Sequence, residues 1–400
     1  MSEEKLVPKL RFSGFDEDWI EINIKNYSTI KGRIGWRNLK QSEYTESGPY
    51  LIAGKHITNG IINWTECDHL SMERYDESPE IALKSGDVIF SKDGSLGNPA
   101  LIRELPDKAT INGTMMLVRL HDKVTPNFFY QVLNSDSFLR LLHVLKSGSS
   151  IPHIFQRDME NFKFKIPQSL KEQNQISSFL EVVDEKIGLL KKKYESYVNF
   201  KKYLMQQIFA QKLRFANFTE EWKTVKIKDI FDERSEKGFS DLELLSVTLN
   251  DGVIKRSEIE SKDNSNENKS NYKHVLPDDI VYNSIRMWQG ASGVSSYEGI
   301  VSPAYTILIP KNAYSKFFGY YFKTNEMIHQ FKKYSQGLTS DTWNLKYPLI
   351  SEIKIKIPSI DEQKEITNVF ETIDLKTKIL QNNLEEVMTF KKGLLQQMFV

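Results

Sequence analysis

The chain has 400 residues, with 54 Lys and Arg against 53 Asp and Glu, 40% apolar content and 27% charged content. That length calls for two or more domains with real cores. The lone cysteine, Cys67, excludes an internal disulfide framework, a cysteine-rich zinc site and an iron–sulfur cluster, and a net charge of +1 means that any affinity for nucleic acid must come from a local basic surface.

The opening Met1-Ser2-Glu3-Glu4-Lys5 lacks a basic, apolar, small-residue signal pattern. No apolar run approaches the roughly 20 residues needed to cross a bilayer. A cytoplasmic protein without a membrane partner is expected.

The first element is the motif Pro8-Lys9-Leu10-Arg11-Phe12, followed by Phe15 and Trp19. Next comes a loop-like stretch from Lys31 to Arg37, with Lys31, Arg33, Trp36 and Arg37. Gly48 to His56 imitates a phosphate-binding loop. It has one residue too many between its glycines, and His56 stands where magnesium would need Ser or Thr. Gly86-Asp87-Val88-Ile89-Phe90 reads as a short buried strand after a turn, with Lys92 and Ser95 in the loop beyond it. A helix is expected from about Pro126, since proline is tolerated in a first turn. A turn follows at Ser147 to Ser150, then His153 and Arg157.

From Lys165-Ile166-Pro167 the pattern changes. Ile176, Leu180, Val183, Ile187, Leu190, Tyr194, Tyr197, Leu204 and Ile208 fall on alternating steps of four and three, with Lys201 in the remaining step. That is a heptad seam without proline. At about 1.5 Å per residue, residues 171–209 span roughly 58 Å.

The order then repeats. Lys212-Leu213-Arg214-Phe215, Phe218 and Trp222 match the first motif. Asp278-Asp279-Ile280-Val281-Tyr282 matches the buried strand, Phe317-Phe318 matches Phe128-Phe129, and Gln336-Gly337 matches Ser147-Gly148. Lys356-Ile357-Pro358 with Glu362-Gln363 matches Lys165-Ile166-Pro167 with Glu172-Gln173. The second seam runs Ile366, Phe370, Ile373, Leu380, Leu384, Val387, Leu394 and Met398, with Thr377 and Lys391 as exceptions. The helix ends Phe200-Lys201-Lys202 to Phe209 and Phe390-Lys391-Lys392 to Phe399 are closely similar, with Tyr203 opposite Gly393, Met205 opposite Leu395 and Ile208 opposite Met398. The offset between copies falls from 203 to 190 residues, so 13 extra residues lie in the first centre. The ends are shared and the centres diverge.

Each seam must be covered, and each helix can cover the other. With a globular segment between them, antiparallel pairing is expected. Lys201 and Lys391 share one register position. There a polar residue either fixes register or reaches water along its stem.

The ordered, duplicated set of Leu-Arg-Phe starts, Ile-Pro…Glu-Gln helix starts and Phe-Lys-Lys…Phe helix ends resembles the specificity subunit of type I restriction–modification systems. The resemblance covers the whole chain. It implies an α+β protein with an internal pseudo-twofold repeat. Two globular target-recognition domains, residues 1–168 and 212–358, are separated by spacer helices at 169–211 and 359–400 that pair as an antiparallel coiled coil. It implies a non-catalytic DNA-binding subunit in which each domain reads one half of an asymmetric bipartite site. The helices would set the spacing and dock two methyltransferase subunits, and two restriction subunits would join. No cofactor is implied for this chain. S-adenosylmethionine belongs to the modification subunit, and ATP with magnesium to the restriction subunit.

Base edges are read by Arg, Lys, Asn, Gln and small hydroxyls, and phosphates by cations and hydroxyls. The DNA-binding candidates are accordingly Lys31, Arg33, Arg37, Lys92, Ser95, Ser149 and Arg157 in the first centre. Those in the second are Arg286, Gln289, Thr339, Ser340 and Asn344. Two other readings compete: a coiled-coil scaffold without DNA specificity, which the neutral charge favours, and a stand-alone methyltransferase. Ser302-Pro303-Ala304-Tyr305 resembles part of an amino-methyltransferase loop, but no glycine-rich cofactor loop accompanies it and a turn at a strand end is the expectation. Glu352-Ile353-Lys354 lacks a nearby acidic partner for a nuclease site, and the histidines show no zinc spacing.

Overall fold

The computed structural model describes residues 7–33, 39–147, 152–249, 251–260, 265–266, 268–339 and 342–400. The chain divides into two units. One combines Met1–Lys191 with Asn382–Val400, and the other is Lys192–Gln381.

In the first unit a four-stranded antiparallel sheet runs in the order Ser28–Gly32, Met115–Leu120, Val88–Ser91, Gly97–Leu101. The second unit repeats it as Phe231–Arg234, Tyr305–Pro310, Ile280–Asn283, Ser292–Val294. The expected buried strands are thus the third strand of each sheet. Val88, Ile89 and Phe90, like Ile280, Val281 and Tyr282, are wholly buried because both faces of the strand are covered. A two-stranded ribbon closes each unit, Ile20–Asn23 with Lys163–Ile166 and Lys223–Lys226 with Lys354–Ile357. The first centre is longer between its first two sheet strands in sequence, at residues 33–87 against 235–279. The first unit adds a sheet of Asp68–Leu70, Tyr44–Ile52 and Ala109–Ile111, and the second adds the pairs Leu245–Thr248 with Gly252–Lys255 and Lys273–Val275 with Gly299–Val301.

The helix expected at Pro126 spans Pro126–Val132. The Thr125 hydroxyl accepts the Phe128 amide at its start and so satisfies one of the free first-turn donors. Its counterpart is Ser315–Tyr321. Phe128 and Phe129 in one unit, and Phe317, Phe318, Tyr321 and Phe322 in the other, are core residues. Each such side chain contributes about 1.5–3 kcal/mol by leaving water.

The long helices are Leu170–Phe209 and Ile360–Met398. In the first unit Ile176, Leu180, Val183 and Ile187, near the start of the first helix, pack with Leu394 and Met398, near the end of the second. In the second unit the relation is reversed, with Leu204 and Ile208 against Ile366, Phe370 and Ile373. Start against end in one unit and end against start in the other is antiparallel pairing. The seam lysines have partners across it. Lys391 Nζ lies 2.6 Å from Asp184 in the first unit. Lys201 Nζ lies 2.5 Å from Asp374 in the second, and Tyr320 donates to the same carboxylate at 2.7 Å.

The shared motifs fasten each centre to its helix start. Arg11 grips Glu172 with Nε and a terminal amine at 2.7 and 2.9 Å, and Trp19 Nε1 donates to the same carboxylate at 3.2 Å. Arg214 grips Glu362 at 2.8 and 2.8 Å, with Trp222 at 3.4 Å. The neighbouring Gln173 accepts the Thr125 amide and donates to the Pro167 carbonyl, and Gln363 treats Tyr314 and Pro358 alike. Both glutamates and both glutamines are buried. Charges and amides so placed persist only when their hydrogen-bonding capacity is met.

Candidate nucleic-acid interface

In the first unit the buried strand Val88–Ser91 delivers the loop at Lys92. Its position is fixed on both sides. The Lys92 amide donates to the Thr114 carbonyl at 2.9 Å, and its carbonyl accepts the Ile154 amide at 2.9 Å. Asp93 then pairs with His153, whose ring tilts over Phe155 with centroids 4.4 Å apart. The Arg157 guanidinium lies 5.1 Å from the Phe155 centroid, a cation–π distance, and its side chain is 76% exposed. Ser95 is exposed and borders a cavity of about 450 Å³ lined also by Gln41, Tyr44, Lys55, Asn112 and Thr114. Lys31 is the penultimate residue of the strand Ser28–Gly32, paired with Leu117. At Gly32 a Cβ would sit 3.6 Å from Lys92 Nζ. Lys92, Ser95 and Arg157 are therefore brought to one rim, while Lys31, one residue before Gly32 in the strand, faces the other side.

Arg33 is not part of that rim. It is 4% exposed, and its donors meet the Ile111 carbonyl, the Ser78 hydroxyl and the Thr110 hydroxyl at 3.0, 3.4 and 3.3 Å. Burial, with the charge of Arg74 nearby, holds its pKa below the ordinary guanidinium value. The expectation that Arg33 offers a cation to DNA is corrected: its charge is spent inside, tying strand ends together. Arg37 and Ser149, with Trp36, lie outside the described residues, as does Ser340 in the second unit.

In the second unit the strand Ile280–Asn283 delivers an equivalent loop. The Ser284 amide donates to the Ala304 carbonyl at 3.3 Å, and its carbonyl accepts the Leu345 amide at 2.8 Å. This is the same stitch with different side chains. Met287 is buried and anchors a short turn, Met287–Gln289, that ends on Gly290 at φ +86°. Arg286 and Gln289 on either side of Met287 are exposed. Trp288 donates to the Ile285 carbonyl at 3.0 Å and meets Trp343 edge to face at 5.3 Å, while Lys332 Nζ lies 5.6 Å from the Trp343 ring centroid. Trp288 thus packs within its own unit. Asn344 bonds Gln336 in both directions, at 2.8 and 3.1 Å, closing a hairpin on which Thr339 is exposed. Arg286, Gln289, Thr339 and Asn344 therefore share one loop cluster.

Sequence reading missed Gln41, Tyr44 and Thr114 around the first cavity and Trp343 behind the second cluster. Long-range pairing places them there, and only Thr114 has a signal in the repeat, since its carbonyl stands where that of Ala304 stands in the second unit. Gly54–His56 forms a short turn after a strand, with His56 buried, and does not open a helix as a phosphate loop would. Ser302 to Ala304 is a turn leading into the strand Tyr305–Pro310. Among the described residues, no cluster of three His, Cys, Asp or Glu could hold a metal ion, and no helix is long and apolar enough to cross a membrane.

Comparison with known proteins adds to this geometry. The family model for the type I restriction modification DNA specificity domain matches twice, over residues 16–196 and 219–389. The chain is similar to the type I restriction enzyme MjaVIII specificity subunit of Methanocaldococcus jannaschii, at 25% identity over 79% of each chain. It is also similar to the putative MjaX specificity subunit of the same organism, at 22% identity over 85% of this chain and 83% of that one. Among solved structures, the S subunit of a type I restriction–modification system from M. genitalium covers 98% of this chain and 99% of its own, with TM-score 0.62 and 17% identity. A chain solved in work on complex assembly and conformational transition of the type I system covers 95% and 97%, with TM-score 0.55 and 16% identity.

Proposed function

Because the chain belongs to the type I restriction–modification DNA specificity family, we propose that it is the non-catalytic reader of a methyltransferase complex, with residues 1–168 and 212–358 each contacting one half of an asymmetric, split DNA site. One observation carries this reading. Two sheets of the same strand order deliver loops held by the same backbone stitch, yet the loops present Lys92, Ser95 and Arg157 in one unit and Arg286, Gln289 and Thr339 in the other. A common frame with unlike side chains suits two unlike half-sites.

The helix segments 169–211 and 359–400 act as spacer and dock. Their 40 and 39 helical residues reach about 60 Å, ample for half-sites about 34–36 Å apart on one face of DNA. Beyond the seam, the helices keep Val182, Leu189, Phe200, Ile379, Met388 and Phe390 exposed. Two modification subunits carrying S-adenosylmethionine would cover these side chains. Restriction subunits using ATP and magnesium would join that complex in the cytoplasm of a bacterium or archaeon.

Exchanging residues 1–165 for another centre should change one half of the methylated site and leave the other intact, as read by mapping methylated adenines. A change in both halves, or in neither, would defeat the two-reader model. Failure to retard any specific duplex with the modification partner present would favour a scaffold without DNA specificity.

A further inference from the structure

We propose that Leu338 is an apolar wedge that the second unit presses into the base stack of its half-site, an inference that rests on the DNA-reading role above. Single exposed apolar residues are ordinary on protein surfaces, so exposure alone decides nothing. Leu338 differs in being 100% exposed on a hairpin built to hold it out. The neck is closed by the two backbone bonds between Gln336 and Asn344, at 2.8 and 3.1 Å. Beyond Leu338, Thr339 and Thr342 are bonded to one another. The Thr339 amide donates to the Thr342 hydroxyl at 3.1 Å, that hydroxyl donates to the Thr339 carbonyl at 2.9 Å, and the Thr342 amide donates to the same carbonyl at 3.0 Å.

Gly337 completes the fixture. It stands at φ +152°, and a Cβ there would lie 2.6 Å from the Thr342 carbonyl oxygen and 2.8 Å from the Trp343 amide nitrogen. Only glycine lets the two arms approach this closely, so the neck of the hairpin is as narrow as backbone permits. The base of the hairpin is fixed to the reading loop by the bond from the Leu345 amide to the Ser284 carbonyl and is backed by Trp343 against Trp288.

A side chain held out rigidly loses little further freedom on binding, whereas a floppy one would lose most of its gain to ordering. Arg286 and Gln289, exposed on the loop to which the hairpin is stitched, supply groups for phosphates and base edges. Leucine is among the residues that part base steps, unstacking them and kinking the duplex. The chemistry favours a flexible pyrimidine–purine step as its target.

The test uses the full chain with its modification partner and a duplex carrying the mapped methylation site. 2-Aminopurine is placed at successive positions through the half assigned to residues 212–358. Binding should brighten the probe at one step. Leu338→Asn should abolish the brightening and weaken binding roughly ten- to a hundredfold, the range expected for losing one buried leucine. Leu338→Met should keep both, and the thermal midpoint should not move in either variant. If the wild-type complex binds its site tightly and no probe brightens, or if Leu338→Asn keeps the brightening, the wedge is wrong and the reading role stands. If the wild-type complex retards no specific duplex, the role fails and takes the wedge with it.

Discussion

Replacing Glu172 by alanine tests how each recognition centre is held to its helix. The Glu172 carboxylate is 1% exposed and accepts three hydrogen bonds, two from Arg11 and one from Trp19. Alanine removes all three. It leaves the Arg11 guanidinium, 11% exposed, without its counter-ion, and strands a buried indole N–H. Breaking a buried pair in this way costs about 3–5 kcal/mol, of which the stranded indole accounts for roughly 1–3 kcal/mol. For a unit of this size that is a fall of about 6–20 °C in melting temperature. Urea unfolding followed by near-ultraviolet circular dichroism measures the loss. A cycle of Arg11→Ala, Glu172→Ala and the double variant isolates the pair. The single changes should sum to more than the double, since the second removal finds the partner already gone. A cost below about 1 kcal/mol for Glu172→Ala, or strict additivity, would refute the view that this carboxylate anchors the centre. Glu362→Ala should behave alike in the second unit.

Lys201→Asp and Asp374→Lys should each weaken the helix pair, while the double exchange recovers most of the loss; the pair is partly exposed, so a single change should cost only about 1 kcal/mol in urea titration. Arg33→Ala should lower stability by about 1–3 kcal/mol through the unmet groups around it, while leaving the salt dependence of DNA binding unchanged; a slope reduced by one unit would return Arg33 to the interface. Arg286→Ala should relax one base of the second half-site at a cost of about 1–3 kcal/mol without altering the first half, read by methylation mapping. Burial pushes the Cys67 thiol up to about 11. At pH 8 it stays protonated, so iodoacetamide should label it more than tenfold more slowly in the native chain than in urea; equal rates would contradict its burial.

The parts of this fold that sequence foretold are those governed by local rules. Heptad steps announce a seam from one residue to the next, so Ile176 to Ile208 and Ile366 to Met398 could be read directly. Repetition then supplied the partner, and the Asp184 and Asp374 ties to Lys391 and Lys201 resolve the choice left open between register and solvation. The interface was harder because its members come from distant segments. Arg33 looked like Lys31 and Arg37 in sequence, a cation in a glycine-bearing loop. Only the pairing of Tyr44–Ile52 with Ala109–Ile111 creates the enclosure that swallows it. Gln41 and Tyr44 carry no mark of their own, since the cavity they share with Ser95 exists only once three segments converge.

The crossed lysine–aspartate ties have a consequence for how such a chain can change over time. Lys201 and Asp374 are 173 residues apart in sequence, yet each contributes to the other's place in the seam. Lys391 and Asp184 are tied in the same way. The loops that carry Arg286 or Ser95 owe nothing comparable to the helices. An exchange that cuts at the helix starts would therefore replace a centre and leave both seam pairs intact.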